Sequence, residues 1–169
     1  MLCKPYPKQI RVGFFNLIDM ESPFDNLFGL LKQETTSYNV KDLFRKEIKE
    51  YEPQIIDYVI DRWKRGEGVD GGKIGEYQNE DYAMFKNQQN PLAGFGNVDL
   101  IDTGDLKNGL FIQELWSVFI IKSSDEKYQM IANKYGIEQF GITEQQMKEI
   151  LAEIKGNVLE TIINNTYGK

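Results

Sequence analysis

Histidine is absent from this 169-residue sequence, which removes the side chain that serves most often as a general base and as a zinc ligand. Catalytic arrangements of the Ser-His-Asp and Cys-His types are therefore excluded. The single cysteine, Cys3, has no partner for an intramolecular disulfide, so the composition predicts a reducing compartment. Apolar runs as long as a membrane span are also missing, and we expect no membrane partner.

The composition that remains is sufficient for one folded domain. Hydrophobic residues make up 41% of the chain and aromatic residues 12%, which provides enough apolar surface for a core. The net charge is −6 and the pI about 4.8. Such a surface has little attraction for phosphate backbones or anionic membranes.

The first part of the chain, residues 1–39, is expected to form an N-terminal arm with a short helix. Pro5 and Pro7 keep the start extended. Ser22 followed by Pro23 is typical of a helix N-cap and first helical position.

Residues 40–169 are expected to form an α+β domain. A helical pattern runs from Val40 to about Arg65 and contains Pro53, which predicts two abutting helices or one kinked helix. Residues 66–100 are rich in glycine and poor in aliphatic residues, which predicts a long loop with a helical turn at residues 79–86.

The C-terminal half contains the strand signals and two further helices. Residues 110–121 predict a strand or an antiparallel hairpin with its turn at Gln113-Glu114. Residues 125–135 predict a short helix that Gly136 ends. Thr143 and Gln146 form a capping-box pattern, which predicts a last helix to about Asn165.

The glycine-rich stretch from Gly68 to Lys73 resembles a phosphate-binding loop superficially. The Walker pattern needs a glycine where Glu67 stands and Ser or Thr where Ile74 stands. A Walker loop also follows a strand, whereas this stretch follows a predicted helix. A surface loop is the better interpretation, and no cofactor is predicted.

Three carboxylates, Asp99, Asp102 and Asp105, could bind a divalent cation or perform acid-base chemistry. Their spacing does not match a calcium loop, and Thr103-Gly104 argues against a helix that would align them. A small carboxylate- and metal-dependent hydrolase that uses these residues is therefore the alternative function, and a protein without enzymatic activity is the main prediction.

The same stretch has a structural interpretation as a corner that leads into a strand. Asp102 or Thr103 can cap a short helical turn, and residues 108–109 can end it in the left-handed conformation. Leu100 and Leu106 would then point into the core.

Two motifs resemble those of a known family. Thr103-Gly104-Asp105-Leu106-Lys107-Asn108-Gly109 matches a corner before a hairpin, and Phe140-Gly141-Ile142-Thr143-Glu144 matches the start of a last helix. In these motifs the chain resembles the tail-completion and virion-morphogenesis proteins of tailed bacteriophages, over roughly residues 40–165. Residues 136–139 depart from the family's Pro-Ala-Arg-like stretch.

The resemblance implies a structural virion protein that forms a homo-oligomeric ring at the head-tail junction. Its partners would be copies of itself, neighbouring neck, portal or tail proteins, and DNA that passes without sequence-specific binding. It would be located in the virion, and in the host cytoplasm during assembly. The residues predicted to serve as interface or corner anchors are Trp63, Tyr77, Tyr82, Phe85, Phe95, Asp102, Thr103, Gly104 and Leu106.

Overall fold

The computed structural model describes residues 40–115 and 118–167, so the predicted arm at residues 1–39 lies outside these ranges. Helices and a two-stranded antiparallel sheet confirm the α+β prediction. The elements in chain order are α1 (Val40–Lys64), α2 (Glu80–Gln89), a 3-10 turn (Pro91–Ala93), α3 (Asp105–Asn108), β1 (Leu110–Leu115), β2 (Val118–Ser123), α4 (Tyr128–Tyr135), a second 3-10 turn (Ile137–Phe140) and α5 (Glu144–Tyr167).

Helix α1 continues through Pro53 as one helix, so the alternative of two abutting helices is wrong. Proline inside a helix costs about 3 kcal/mol because it removes a hydrogen bond and crowds the preceding turn. The buried stripe continues on both sides of it, with Phe44 and Ile48 before and Ile55 and Val59 after. Burial of each such side chain stabilises by about 1.5–3 kcal/mol, which offsets the effect of the proline.

Helix α5 begins with the predicted capping box. The backbone N–H of Thr143 donates to Gln146 Oε1 at 3.0 Å, and the N–H of Gln146 donates to Thr143 Oγ1 at 3.2 Å. Along the helix, Ile150, Ile154 and Val158 are at most 1% exposed. This face packs against α1 and forms the centre of the core.

The antiparallel pairing of β1 with β2 confirms the predicted hairpin. The turn predicted at Gln113-Glu114 is wrong, because both residues lie inside β1. A polar pair without Gly, Asn or Asp is a weak turn signal. Helix α1 packs on β1, and its Glu52 Oε1 accepts a hydrogen bond from the N–H of Ile112 at 2.7 Å.

Helix α4 begins at Tyr128, three residues later than predicted. The cause is a turn that precedes the helix: Asp125 Oδ1 accepts from the N–H of Lys127 at 2.6 Å, and Ser123 Oγ accepts from the N–H of Asp125 at 3.1 Å. Gly136 ends the helix with a φ of 99°, as predicted.

We predict that the α1–α5 contact dominates stability. Ile154→Ala would remove a fully buried side chain and leave a cavity, so the free energy of unfolding should fall by about 2–5 kcal/mol in urea titration. Ile163→Ala, on the same helix but 54% exposed, is the matched control and should change it by about 0.5 kcal/mol or less. Equal losses in the two variants would contradict this assignment of the core.

Candidate functional site

The glycine-rich segment at residues 66–75 folds back on the end of α1. The N–H of Ile74 donates to the carbonyl of Gly66 at 3.1 Å, and Asp70 Oδ1 accepts from the N–H of Gly72 at 2.9 Å. Gly66 has a φ of 66°, and a Cβ there would lie 3.2 Å from the carbonyl oxygen of Val98. Glycine is therefore required at this position both by conformation and by space.

The middle of the predicted loop is occupied by α2. Its N-terminal end is capped by Asn79, whose side chain accepts from the N–H of Tyr82 at 2.8 Å. The predicted helical turn is thus present and continues to Gln89. Ala83 and Lys86, three residues apart, form the buried side of the helix.

A buried ion pair joins α2 to the chain before the corner. Lys86 Nζ lies 3.0 Å from Asp99 Oδ1, and both side chains are at most 4% exposed. Lys86 also donates to the carbonyl of Ile101. The hydroxyl of Tyr77 donates to Asp99 Oδ1 at 3.1 Å, and Asn90 Nδ2 donates to Oδ2 at 3.0 Å. Burial and the charge of Asp99 raise the pKa of Tyr77, so its hydroxyl stays protonated and can donate.

These contacts separate the three carboxylates that the hydrolase alternative requires. Asp99 is 1% exposed and is used by the ion pair, whereas Asp102 and Asp105 are exposed. Across residues 40–115 and 118–167, no three His, Cys, Asp or Glu side chains come together as a metal site would need.

The corner at residues 103–109 contains the predicted helical turn as α3. The N–H of Asp105 donates to Thr103 Oγ1 at 3.4 Å, and Leu106 is buried as predicted. The left-handed conformation lies at Gly104, with a φ of 97°, and the prediction that residues 108–109 adopt it is wrong for Gly109, whose φ is −85°. The tight bend is therefore made before the turn and not after it.

Leu100 also points inward and is 9% exposed. Its φ of 49° is left-handed, which is unfavourable for a residue with a large side chain. The hydrogen bonds of its neighbours Asp99 and Ile101 fix the chain on both sides of it. The ion pair therefore also maintains a strained backbone position.

Trp63, predicted as an interface or corner anchor, lies in the core of the single chain. Its side chain is 0% exposed, its ring meets that of Phe140 edge to face at 5.2 Å, and its Nε1 donates to the carbonyl of Gln139 at 2.8 Å. Within the folded chain its ring is used for packing between α1 and the second 3-10 turn. Large aromatic side chains serve cores and interfaces equally well, so residue type alone does not separate the two.

Arg62, beside it, is a second buried cation. Its guanidinium donates to the carbonyls of Gln139 and Gly141 at 3.0 and 2.6 Å, and to that of Glu67 at 3.3 Å. Burial lowers the pKa of Arg62 to about 10, so it remains charged near neutral pH. It ties the glycine-rich segment and the start of α5 to the end of α1.

An exposed apolar surface lies on α2, on the 3-10 turn that packs against it and at Phe95, two residues after that turn. We call it the aromatic surface; its members are Tyr82, Phe85, Leu92 and Phe95, which are 40%, 49%, 71% and 57% exposed. The rings of Tyr82 and Phe85 lie 6.2 Å apart. Large apolar side chains left exposed in one part of a chain are a common feature of interaction sites.

A cleft of about 200 Å³ opens next to the aromatic surface, and Tyr82 belongs to both. Tyr77 meets Tyr82 edge to face at 5.0 Å on one side, and Lys134 and Tyr135 of α4 line the other. Asp102, Thr103 and Gly104 also line it, so most of the predicted corner residues surround one depression.

Comparisons with known proteins returned nothing: no family model, no curated protein and no solved structure matches this chain. Every helix within the described ranges is too short or too polar to cross a lipid bilayer.

Sequence reasoning missed Asn90, Arg62 and Leu92, and it missed the burial of Lys86. Lys86 lies three residues after Ala83 on the buried side of α2, but a lysine is almost never expected to be fully buried. Leu92 follows Pro91 and a run of polar residues, so no helical or strand periodicity of apolar residues indicates its position. Asp99 was identified as a candidate carboxylate, and the structure pairs it with Lys86.

Removing Lys86 should be far more damaging than removing an exposed lysine. Lys86→Met would leave Asp99 buried without a counter-charge, and we expect the free energy of unfolding to fall by about 3–5 kcal/mol. Lys73→Met, which breaks an exposed pair with Glu76, is the control and should cost about 1 kcal/mol or less. Adding Asp99→Asn to Lys86→Met should recover part of the loss, and a double variant no better than Lys86→Met would argue against the ion pair.

Alkaline pH should act through Tyr77. Because its pKa is raised in the folded state, its contribution to stability is present below the unfolded value of about 10 and is lost as the pH rises beyond it. The difference in unfolding free energy between the native chain and Tyr77→Phe should therefore shrink above about pH 10. Urea titration at each pH measures this difference. If the difference between the two proteins stays constant across that range, the pKa of the Tyr77 hydroxyl is not raised by folding.

Proposed function

We propose that this protein is a structural subunit of a tailed-phage virion that forms a homo-oligomeric ring at the head-tail junction. It would act without catalysis, through contacts between copies and with neighbouring neck, portal or tail proteins. It would be found in the virion, and in the host cytoplasm during assembly.

The resemblance in two motifs supports this function, and the fold is consistent with both. Residues 103–109 form the α3 turn directly before the β1–β2 hairpin. Residues 140–144 connect the second 3-10 turn to the capped start of α5. The positions of these two segments support the proposal.

The observation that carries the proposal is the aromatic surface. Four large apolar side chains lie exposed on α2, which a buried ion pair fixes to the domain, and on the segment that follows it. Exposing them to water is unfavourable, and a protein partner that covers them would gain the corresponding burial energy. In a ring, each subunit offers one surface to the next through a heterologous contact, and closure buries that surface in every copy.

The charge of the chain suits a channel through which DNA passes. At a net charge of −6, the subunit would repel the phosphate backbone, so DNA would cross the ring without sequence-specific binding.

The hydrolase alternative has less support, because the Asp99 carboxylate is paired with Lys86 and the other two carboxylates are exposed. Hydrolytic activity of the monomer that Asp102→Asn abolished without unfolding would favour it.

The ring is tested by negative-stain electron microscopy and sedimentation of the purified chain across a range of concentrations. We expect monomers at low concentration and closed rings at high concentration. Residues 66–100 should be cleaved by protease more slowly in the ring than in the monomer, because a neighbour covers them.

The matched variants are Leu92→Ser with Phe95→Ser, which removes half of the aromatic surface, and Ile163→Ser, which removes an apolar side chain of similar exposure on α5. The first should raise the concentration needed for assembly at least tenfold, and the second should leave it unchanged. A native chain that remains monomeric at every concentration would overturn the proposed function.

A further inference from the structure

Acidic side chains lie beside the aromatic surface, and the exposed cations of the adjoining cleft, Lys127 and Lys134, belong to the segment around α4. Glu80 and Asp81 lie exposed in the first turn of α2, and Asp102 is exposed close enough to Tyr82 to raise the pKa of its hydroxyl, after the larger effect of burial. Lys86 is the one cationic residue between positions 74 and 106, and it is buried in the pair with Asp99. A partner that fits this face should therefore be both apolar and basic.

The beginning of the same chain has that composition. Residues 1–18 contain three cationic side chains, Lys4, Lys8 and Arg11, and no acidic one. They also contain a cluster of apolar residues: Ile10, Val12, Phe14, Phe15, Leu17 and Ile18. The chain as a whole is acidic, so this basic start is the exception within it.

The size of the aromatic surface favours a short segment over a folded partner. A buried aromatic side chain covers about 150–250 Å², so four large side chains that are about half exposed offer roughly 400 Å². A stable contact between two folded subunits needs about 800 Å² from each. A peptide that places several apolar side chains on the surface suits the smaller area.

We propose that residues 1–18 of a neighbouring copy bind the aromatic surface, with their cations beside Glu80, Asp81 and Asp102. The placement in a neighbouring copy rests on the proposed ring. The 21 residues between positions 18 and 40 can span up to about 70 Å when extended, which is enough to reach an adjacent subunit. Each subunit would thereby cover the apolar face of the next.

Photo-crosslinking of the full chain tests this directly. Phe15 is replaced with the photoreactive analogue benzoylphenylalanine, and this protein is mixed with an equal amount of the ¹⁵N-labelled native chain at a concentration that supports assembly. After illumination, mass spectrometry locates the adducts. We expect them between residues 80 and 105 of the labelled copy.

Two variants of the labelled copy test whether the adducts depend on the aromatic surface. Leu92→Ser with Phe95→Ser should reduce the adduct yield at least fivefold, whereas Ile163→Ser should leave it unchanged. Replacing Lys4, Lys8 and Arg11 with Glu in the photoreactive copy should also lower the yield, and the native yield should fall as salt is raised. Unchanged yields in the charge-reversed protein would overturn the electrostatic part of the assignment.

The outcomes separate this inference from the ring itself. Rings seen by electron microscopy with adducts outside residues 80–105, or with adducts confined to the photoreactive copy, would overturn the docking and leave the ring intact. Monomers at all concentrations would overturn the proposed function together with the neighbouring-copy placement.

Discussion

The contact between Lys86 and Asp99 is the constraint on which the candidate site depends. Residues 66–100 have few aliphatic side chains, so hydrophobic burial alone cannot fix them to the domain. The carboxylate of Asp99 instead gathers donors from α2, from Tyr77 and from Asn90. A buried ion pair contributes little net stability relative to an apolar pair of the same shape, because both charges lose their hydration. What it provides is a defined geometry, since separating either charge from the other would leave it buried and unpaired.

That geometry explains how an apolar surface can remain exposed without folding inward. The inward side of α2 is occupied by Ala83 and by Lys86, whose Nζ must stay next to Asp99. The helix therefore cannot rotate to bury Phe85 without withdrawing the lysine from its partner. The cost of separating a buried charge from its counter-charge is several kcal/mol, which exceeds the gain of about 1.5–3 kcal/mol from burying one aromatic side chain. The ion pair thus keeps the aromatic surface exposed.

The sequence predicted those elements whose signals are local. The capping box at Thr143 and the stop at Gly136 rest on neighbouring residues, and both are present in the fold. Pro53 was ambiguous because its effect depends on whether the flanking residues pack on the same core, which is a tertiary property. The burial of Trp63 is a tertiary property in the same way, because its ring packs on Phe140, 77 positions away in the chain. The role of Lys86 required knowing that Asp99 lies beneath it, and no spacing rule relates positions in a helix and a distant loop.

The distribution of charge adds a constraint on assembly that neither the core nor the aromatic surface provides alone. Acidic subunits repel one another, and that repulsion grows as they approach in a ring. A basic segment at the start of each chain that binds an acidic face of the next would neutralise charge at the contact where the repulsion is strongest. Apolar burial would then supply most of the affinity, while charge would select which face is covered. The same division applies inside the domain, where aliphatic packing between α1 and α5 stabilises the fold and the ion pair determines which surface is exposed.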